Sequence, residues 1–299
     1  MFTIGTDSEC FLRSKDSGRL VSAIPFINGT KHEPQPLPGG NIQRDNVAME
    51  VATDPASDLA QFVGNVGSVL KNARCVIPKL YEIDAVPSAN FPEDQLDHPE
   101  ALQFGCDADY DAYKVRENDK PVLKNPLFRS CGGHIHVGTG DNPRYDFLKN
   151  FHGKIDMVKT MDAVHGIVST LLDHSPQAVE RRSLYGKAGT HRPKSYGVEY
   201  RVLSNFWIKS PLLVSLMYNL TKDALELMAA GKALKLIEAI GADKIRATIN
   251  DGLYDDAVEI MNSHVRPLLS EDSLVCLDKA LAAGEFDLKK EWKLEEVAQ

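Results

Sequence analysis

Apolar and polar positions alternate over residues 2–12 and predict a strand leading out of the N-terminus. The glycine-rich "LPGGNIQRDN" (37–46) reads as a loop, and "VAMEVAT" (47–53) as a second strand. Asp54-Pro55 offers a side-chain cap and a first-turn proline, so a helix is expected from that point. Leu59, Phe62, Val63, Val66, Val69 and Leu70 then repeat at helical spacing and lay one stripe on a core. "YEIDAVPSA" (81–89) reads as a strand. Residues 90–127 hold no period and are too long for a plain connection, which suggests a functional loop or lid. A strand follows at Cys131–Gly138, then a helix over 154–173 with Val158, Met161, His165, Val168 and Leu172 along one side. "ERRSLYGKAGTHRPKSYG" (180–197) reads as a second long, basic loop, and "VEYRVLSNFW" (198–207) returns to strand. From 211 onward the pattern is helical. Strands before 210 and helices after it predict an α+β fold, an antiparallel sheet covered on one side by helices.

Four of these strands share a habit. Side chains at i and i+2 leave the same face of a strand. Asp7 and Glu9 therefore share a face, as do His134 and His136, and Glu199 and Arg201. Glu50 leaves its strand beside Ala48 and Ala52, opposite Met49 and Val51. Each strand keeps one face apolar and loads the other with ionisable groups separated by glycine or alanine. Any one of them alone is equally a solvated sheet face, and the histidine pair alone is equally a hydrogen-bonded pair beside a turn. Together they crowd Asp7, Glu9, Glu50 and Glu199. Like carboxylates raise one another's pKa unless cations sit among them. Hard divalent cations take oxygen ligands, and Mg²⁺ combines carboxylates with substrate phosphates, so Mg²⁺ or Mn²⁺ suits the set better than zinc. Arg181, Arg182, Lys187 and Arg192 add positive charge in the 180–197 stretch, and guanidinium forks suit phosphate oxygens.

Composition narrows the class. The chain has 299 residues, 43% hydrophobic and 25% charged, and a net charge of −8. That is ordinary for a globular protein with a sizeable core. No concentrated basic run supports nonspecific nucleic-acid binding. Neither a leader-like N-terminus nor a run long enough to span a membrane is evident. Five cysteines without CxxC spacing point to a reducing cytoplasm and mostly buried thiols.

"GTDSE", "MEVAT", "GGHIHVG" and "VEYRV" resemble the four core strands of the glutamine synthetase-like carboxylate–amine ligases, the group that includes glutamate–cysteine ligases. "FGCDADYDAY" and the 180–201 stretch resemble its COOH-NH2 ligase (amidoligase) branch, often carried by phages. The resemblance spans residues 3–208. It implies a curved antiparallel half-barrel with ATP and Mg²⁺ in its concave face. It also implies residues 1–210 as the catalytic core, with 211–299 as a helical region packed on the same domain. Asp7, Glu9, Glu50, His134 and Glu199 match metal ligands. His136 and Arg201 match nucleotide or phosphate contacts; Lys187 and Arg192 of the basic stretch are expected beside them, and Arg201, Glu50 and Arg182 are the expected catalytic groups. The first acid is Asp where relatives often have Glu, which shifts one metal position. The implied reaction is ATP-dependent amide formation through an acyl phosphate, joining small-molecule or peptide carboxylates and amines in the cytoplasm, the host's if the protein is phage-encoded. A Mg²⁺- or Mn²⁺-dependent phosphohydrolase and a non-catalytic nucleotide-binding protein are the alternatives.

Overall fold

The structure, a computed structural model, describes residues 1–102, 108–122 and 124–297. Part of "FGCDADYDAY", including Cys106, lies outside the described residues. The strands are β1 (Thr3–Ser14), β2 (Leu20–Val21), β3 (Gln35–Leu37), β4 (Gly40–Asp45), β5 (Ala48–Thr53), β6 (Tyr81–Asp84) and β7 (Ser88–Asn90). They continue with β8 (Tyr110–Asp111), β9 (Arg116–Glu117), β10 (Phe128–Ser130), β11 (Gly133–Gly138), β12 (Thr190–Lys194) and β13 (Gly197–Tyr200). The main sheet is antiparallel and open, in the order β3-β4-β5-β1-β11-β13-β12-β8-β9, with β2 and β6 also on β1. β7 and β10 form a separate pair. The expected α+β class, an antiparallel sheet covered by helices, is what the chain adopts.

The back of the sheet explains the cover. Ile4, Ile42, Met49, Val51, Ile135, Val137, Val198 and Tyr200 are buried in one core with α1 (Leu59–Val76), α2 (Phe151–Met161) and α5 (Pro211–Ala229). Within α1, Phe62, Val66, Val69 and Leu70 are buried as their spacing predicts. α5 also packs on α9 (Glu271–Ala283), so the C-terminal helices continue this core.

Four local expectations are corrected. The helix begins at Leu59, because the Asp58 side chain accepts from Gln61 N at 2.8 Å, whereas Ala56 hooks onto β1 through Ile4. "LPGGNIQRDN" is not a plain loop: β4 hydrogen-bonds along β5 from Gly40 to Asp45. Gly40 and Gly39 hold positive φ angles, which lets the chain turn tightly into that strand. The stretch 180–197 is not one loop either. Ser175 caps α4 (Pro176–Leu184), which contains Arg181 and Arg182, and β12 follows. The 154–173 helix is interrupted by a π-turn at Asp162–Gly166 before α3 (Ile167–Leu172). Among the described residues, no helix is long and apolar enough to cross a membrane.

Candidate active site

Strand register brings the ionisable residues to the open face. Glu9 pairs with Glu50 across β1 and β5, and Glu50 pairs with Gln43 on β4. Asp7 pairs with His134 across β1 and β11. His136 pairs with Glu199, which pairs in turn with Arg192 on β12.

Two acidic groups result. In the first, one ligand atom from each of Glu9, Asp45 and Glu50 lies within 4.8 Å of the others. Gly132 N donates to Glu9 Oε2 at 2.7 Å, and Gln43 Nε2 donates to Glu50 Oε1 at 2.9 Å. Burial, then Asp45, pushes Glu9 up to about 7. Burial, then Asp7, Asp45 and Glu9, pushes Glu50 well above the usual carboxylate range. Protons therefore substitute for a missing positive charge.

The second group is Asp7, His136 and Glu199, again within 4.8 Å. Asp7 Oδ1 lies 2.9 Å from His134 Nδ1, and Asp7 Oδ2 lies 3.2 Å from His136 Nε2. Burial works to raise Asp7, but the two imidazoles overcome it and hold Asp7 well below the usual range. Burial and Asp7 likewise act to raise Glu199. Arg201 and the two histidines outweigh them and hold it at about 2. The Arg201 guanidinium bonds Glu199 directly, Lys194 Nζ lies 2.7 Å from Glu199 Oε2, and Arg192 Nη1 donates to Oε1 at 3.4 Å. Arg201 Nη1 also lies 3.2 Å from His134 Nδ1, and its Nε lies 3.7 Å from Asp109 Oδ2.

The donor sets test the expected ions. One group is all carboxylate oxygen; the other is two carboxylates and one imidazole. Both suit a hard divalent cation such as Mg²⁺ or Mn²⁺, and the raised carboxyl groups of the first lack compensating charge until a cation replaces the protons.

Asp7, Glu9, Glu50, His134, His136, Arg192, Glu199 and Arg201 thus meet on one face, while two expected members do not. Arg182 turns to the Asp173 backbone carbonyl, with Nη2 donating at 3.2 Å, because α4 holds it in the core. Lys187 is exposed and lines a neighbouring cavity. The two histidines sit in different surroundings. His136 joins the Asp7–Glu199 group, with Nδ1 2.5 Å from the Tyr196 hydroxyl. His134 is buried, its Nδ1 is engaged by Asp7 and Arg201, and its Nε2 lies against Gly132. Burial, then Arg201, lowers His134 to about 4, so the ring is neutral near pH 7.

Sequence reasoning missed Asp45, Gln43, Lys194 and Asp109. Gln43 and Asp45 are two apart on β4, but they fall in the stretch that reads as a glycine-rich loop, and Arg44 breaks the apolar face opposite them.

The family comparison meets these same strands. Residues 126–236 match the family described as phage phiEco32-like COOH-NH2 ligase, type 2. Over that span the chain carries the mark of the COOH-NH2 ligases. The expected resemblance to that branch is borne out over those residues. The matched segment contains β11, β12 and β13, hence His134, His136, Arg192, Glu199 and Arg201, but not Asp7, Glu9 or Glu50. No curated protein sequence matches the chain. Among solved structures, a bifunctional glutathione synthetase from Pasteurella multocida is similar at 12% identity and a TM-score of 0.42, over 99% of this chain and 51% of that one. The chain thus spans about half the length of that synthetase. A glutamine synthase homologue is similar at 12% identity and a TM-score of 0.35, over 93% of this chain and 70% of that one.

Proposed function

We propose that the protein is an ATP-dependent ligase that joins a carboxylate to an amine through an acyl phosphate, releasing ADP and phosphate. The observation that carries this reading is the juxtaposition of two acidic groups with Arg201, Arg192 and Lys194 on one sheet face. The family match supports ligation of a carboxylate to an amine.

The chemistry explains the arrangement. A free carboxylate is a poor acyl electrophile, since it would have to expel oxide. Attack of its oxygen on the γ-phosphorus of ATP expels ADP and leaves an acyl phosphate. Attack of an amine on the acyl carbon then expels phosphate, and the nitrogen loses a proton. Glu9, Asp45 and Glu50, and separately Asp7, His136 and Glu199, are the residues that would hold Mg²⁺ or Mn²⁺. When bound, such an ion neutralises phosphate charge. Arg201, Arg192 and Lys194 supply fixed positive charge beside the phosphates, so the protein's contribution is positioning and electrostatics. Neutral His134 holds Asp7 in place without adding charge. Arg182 supports α4 against Asp173 and is kept out of the catalytic set.

The test is ADP release by the purified protein with Mg²⁺, ATP and a panel of acids and amines, with products read by mass spectrometry. ADP release that requires both an acid and an amine, with an amide of matching mass, supports the ligase. ADP release that no amine affects indicates a phosphohydrolase. ATP binding without turnover in any combination indicates a non-catalytic protein.

A further inference from the structure

A two-residue turn, Ser195-Tyr196, joins β12 to β13, with Lys194 and Gly197 paired across its base. Its backbone is fixed from two sides. Lys154 Nζ of α2 donates to the Lys194 carbonyl oxygen at 2.6 Å, and Thr139 N donates to the Tyr196 carbonyl oxygen at 3.2 Å. The turn touches two members of the Asp7–His136–Glu199 group. Lys194 Nζ lies 2.7 Å from Glu199 Oε2, and the Tyr196 hydroxyl lies 2.5 Å from His136 Nδ1. The Tyr196 residue as a whole is exposed, and its ring centroid lies 6.1 Å from that of His136, tilted by 36°. Its contribution to the site is therefore made through the hydroxyl.

The two ring nitrogens of His136 face different partners. Nε2 lies 3.2 Å from Asp7 Oδ2, on the side of the acidic group, and Nδ1 meets Tyr196. A cation held with Asp7 and Glu199 takes the Nε2 lone pair. A neutral imidazole then carries its single proton on Nδ1. A histidine that binds a metal is oriented by the acceptor of that other N–H, which also makes the ring a stronger ligand. The Tyr196 oxygen is placed to be this acceptor. A hydroxyl both donates and accepts, so it can also bond Nδ1 when the proton sits on Nε2 against Asp7. A carboxylate in its place would add a further negative charge to the group, and a lysine could not accept.

We infer that Tyr196 is a positioning residue for the metal: its oxygen accepts from His136 Nδ1–H and fixes the ring with Nε2 turned to a divalent cation between Asp7 and Glu199. The inference rests on reading that group as a cation site of the ligase. As the ion enters, the Nε2 proton passes to solvent and Nδ1 holds the ring's one proton. The hydroxyl proton of Tyr196 then turns away from His136.

Tyr196→Phe tests this on the full chain, because it keeps the ring and the turn and removes only the oxygen. Calorimetric titration with Mg²⁺, run beside Asp7→Asn, identifies the binding event that belongs to this group. We expect Tyr196→Phe to weaken that event about tenfold to a hundredfold, the loss typical for an outer partner of a ligating histidine, and to leave binding at Glu9, Asp45 and Glu50 unchanged. Nuclear magnetic resonance of ¹⁵N-histidine-labelled, Mg²⁺-loaded protein should show the His136 proton on Nδ1, exchanging with water faster in the variant. Melting of the metal-free variant at the wild-type temperature confirms that the fold is intact. An Asp7-dependent event of unchanged affinity in Tyr196→Phe overturns the inference, as does a loaded ring with its proton on Nε2. If no Mg²⁺ event depends on Asp7, the cation site falls and the inference falls with it. If Tyr196→Phe weakens Mg²⁺ as expected, yet no acid and amine pair drives ADP release, the Tyr196 assignment stands and the ligase reading falls.

Discussion

Glu9 and Glu50 face each other as register partners on β1 and β5, buried enough that both retain protons well above the ordinary carboxylate range. Two carboxylic acids kept this close destabilise a metal-free sheet and prepare it for a cation. Glu50→Gln keeps the shape and removes the need to hold a buried carboxyl protonated beside Glu9, Asp45 and Asp7, so the metal-free variant should melt higher. Relief of about 1 kcal/mol corresponds to roughly 2 °C. The increase in melting temperature on adding Mg²⁺ should shrink, and Mg²⁺-dependent turnover should fall strongly. Thermal denaturation with and without Mg²⁺ measures the first two. A variant with wild-type turnover at limiting Mg²⁺ would remove Glu50 from the metal site.

The same pair sets a pH dependence. Glu9 in the folded protein holds its proton to about 7, against an ordinary value of 4.5. Its contribution to metal-free stability is therefore complete below 4.5 and lost as pH rises through about 7. Glu199 runs the other way. Held at about 2, it contributes stability that is present above 4.5 and lost as pH falls toward 2. Urea midpoints of metal-free protein should thus decline from pH 5 to pH 8, and Mg²⁺ should restore more stability at the upper end, where no proton has to be displaced. A metal-free midpoint that rises over this range would contradict the assignment.

Arg201 has three neighbours at once, Glu199, His134 and Asp109, and a lysine cannot span them with a single ammonium. Arg201→Lys should lower turnover by on the order of a hundredfold, the scale of one lost electrostatic stabiliser. Because Arg201 is buried, a modest fall in melting temperature should accompany it. A turnover per folded molecule equal to wild type would leave Arg201 as an ion-pair partner of Glu199 and nothing more.

The glycine pair ahead of the histidine strand has a specific purpose. A Cβ on Gly132 would lie 2.3 Å from His134 Nε2, and one on Gly133 would lie 2.5 Å from the Ser204 carbonyl oxygen. Gly132→Ala should displace the His134 ring from Asp7 and reduce activity at least tenfold, on the scale of a misplaced positioning contact. Gly64→Ala, in α1 with open space around it, should be tolerated and even stabilising by up to ~1 kcal/mol. Equal activity in both variants would show that the close approach at Gly132 does not matter.

Much of this is legible in the sequence. Period-two alternation exposed β1, β5, β11 and β13, because each has one core face and one face of ionisable groups among small residues. The missing row, Gln43 and Asp45, was hidden by Gly39-Gly40, which reads as loop although it turns directly into β4. Arg181 and Arg182 read as loop cations from charge and glycine content alone, but Ser175 caps a helix that buries them. The roles of His134 and His136 were beyond any spacing argument. Both leave the same face, and only strand register puts one opposite Asp7 and the other opposite Glu199. Asp109 reaches Arg201 through tertiary packing that leaves no local pattern.

The central claim is that the acid substrate is activated by phosphorylation on its own carboxylate oxygen. With an acid and amine pair identified by ADP release, the decisive measurement uses acid labelled with ¹⁸O in its carboxylate and follows the released phosphate by mass spectrometry. Transfer through an acyl phosphate places one ¹⁸O from the acid in each phosphate. Phosphate that instead takes its new oxygen from solvent water, with none from the acid, would contradict the account.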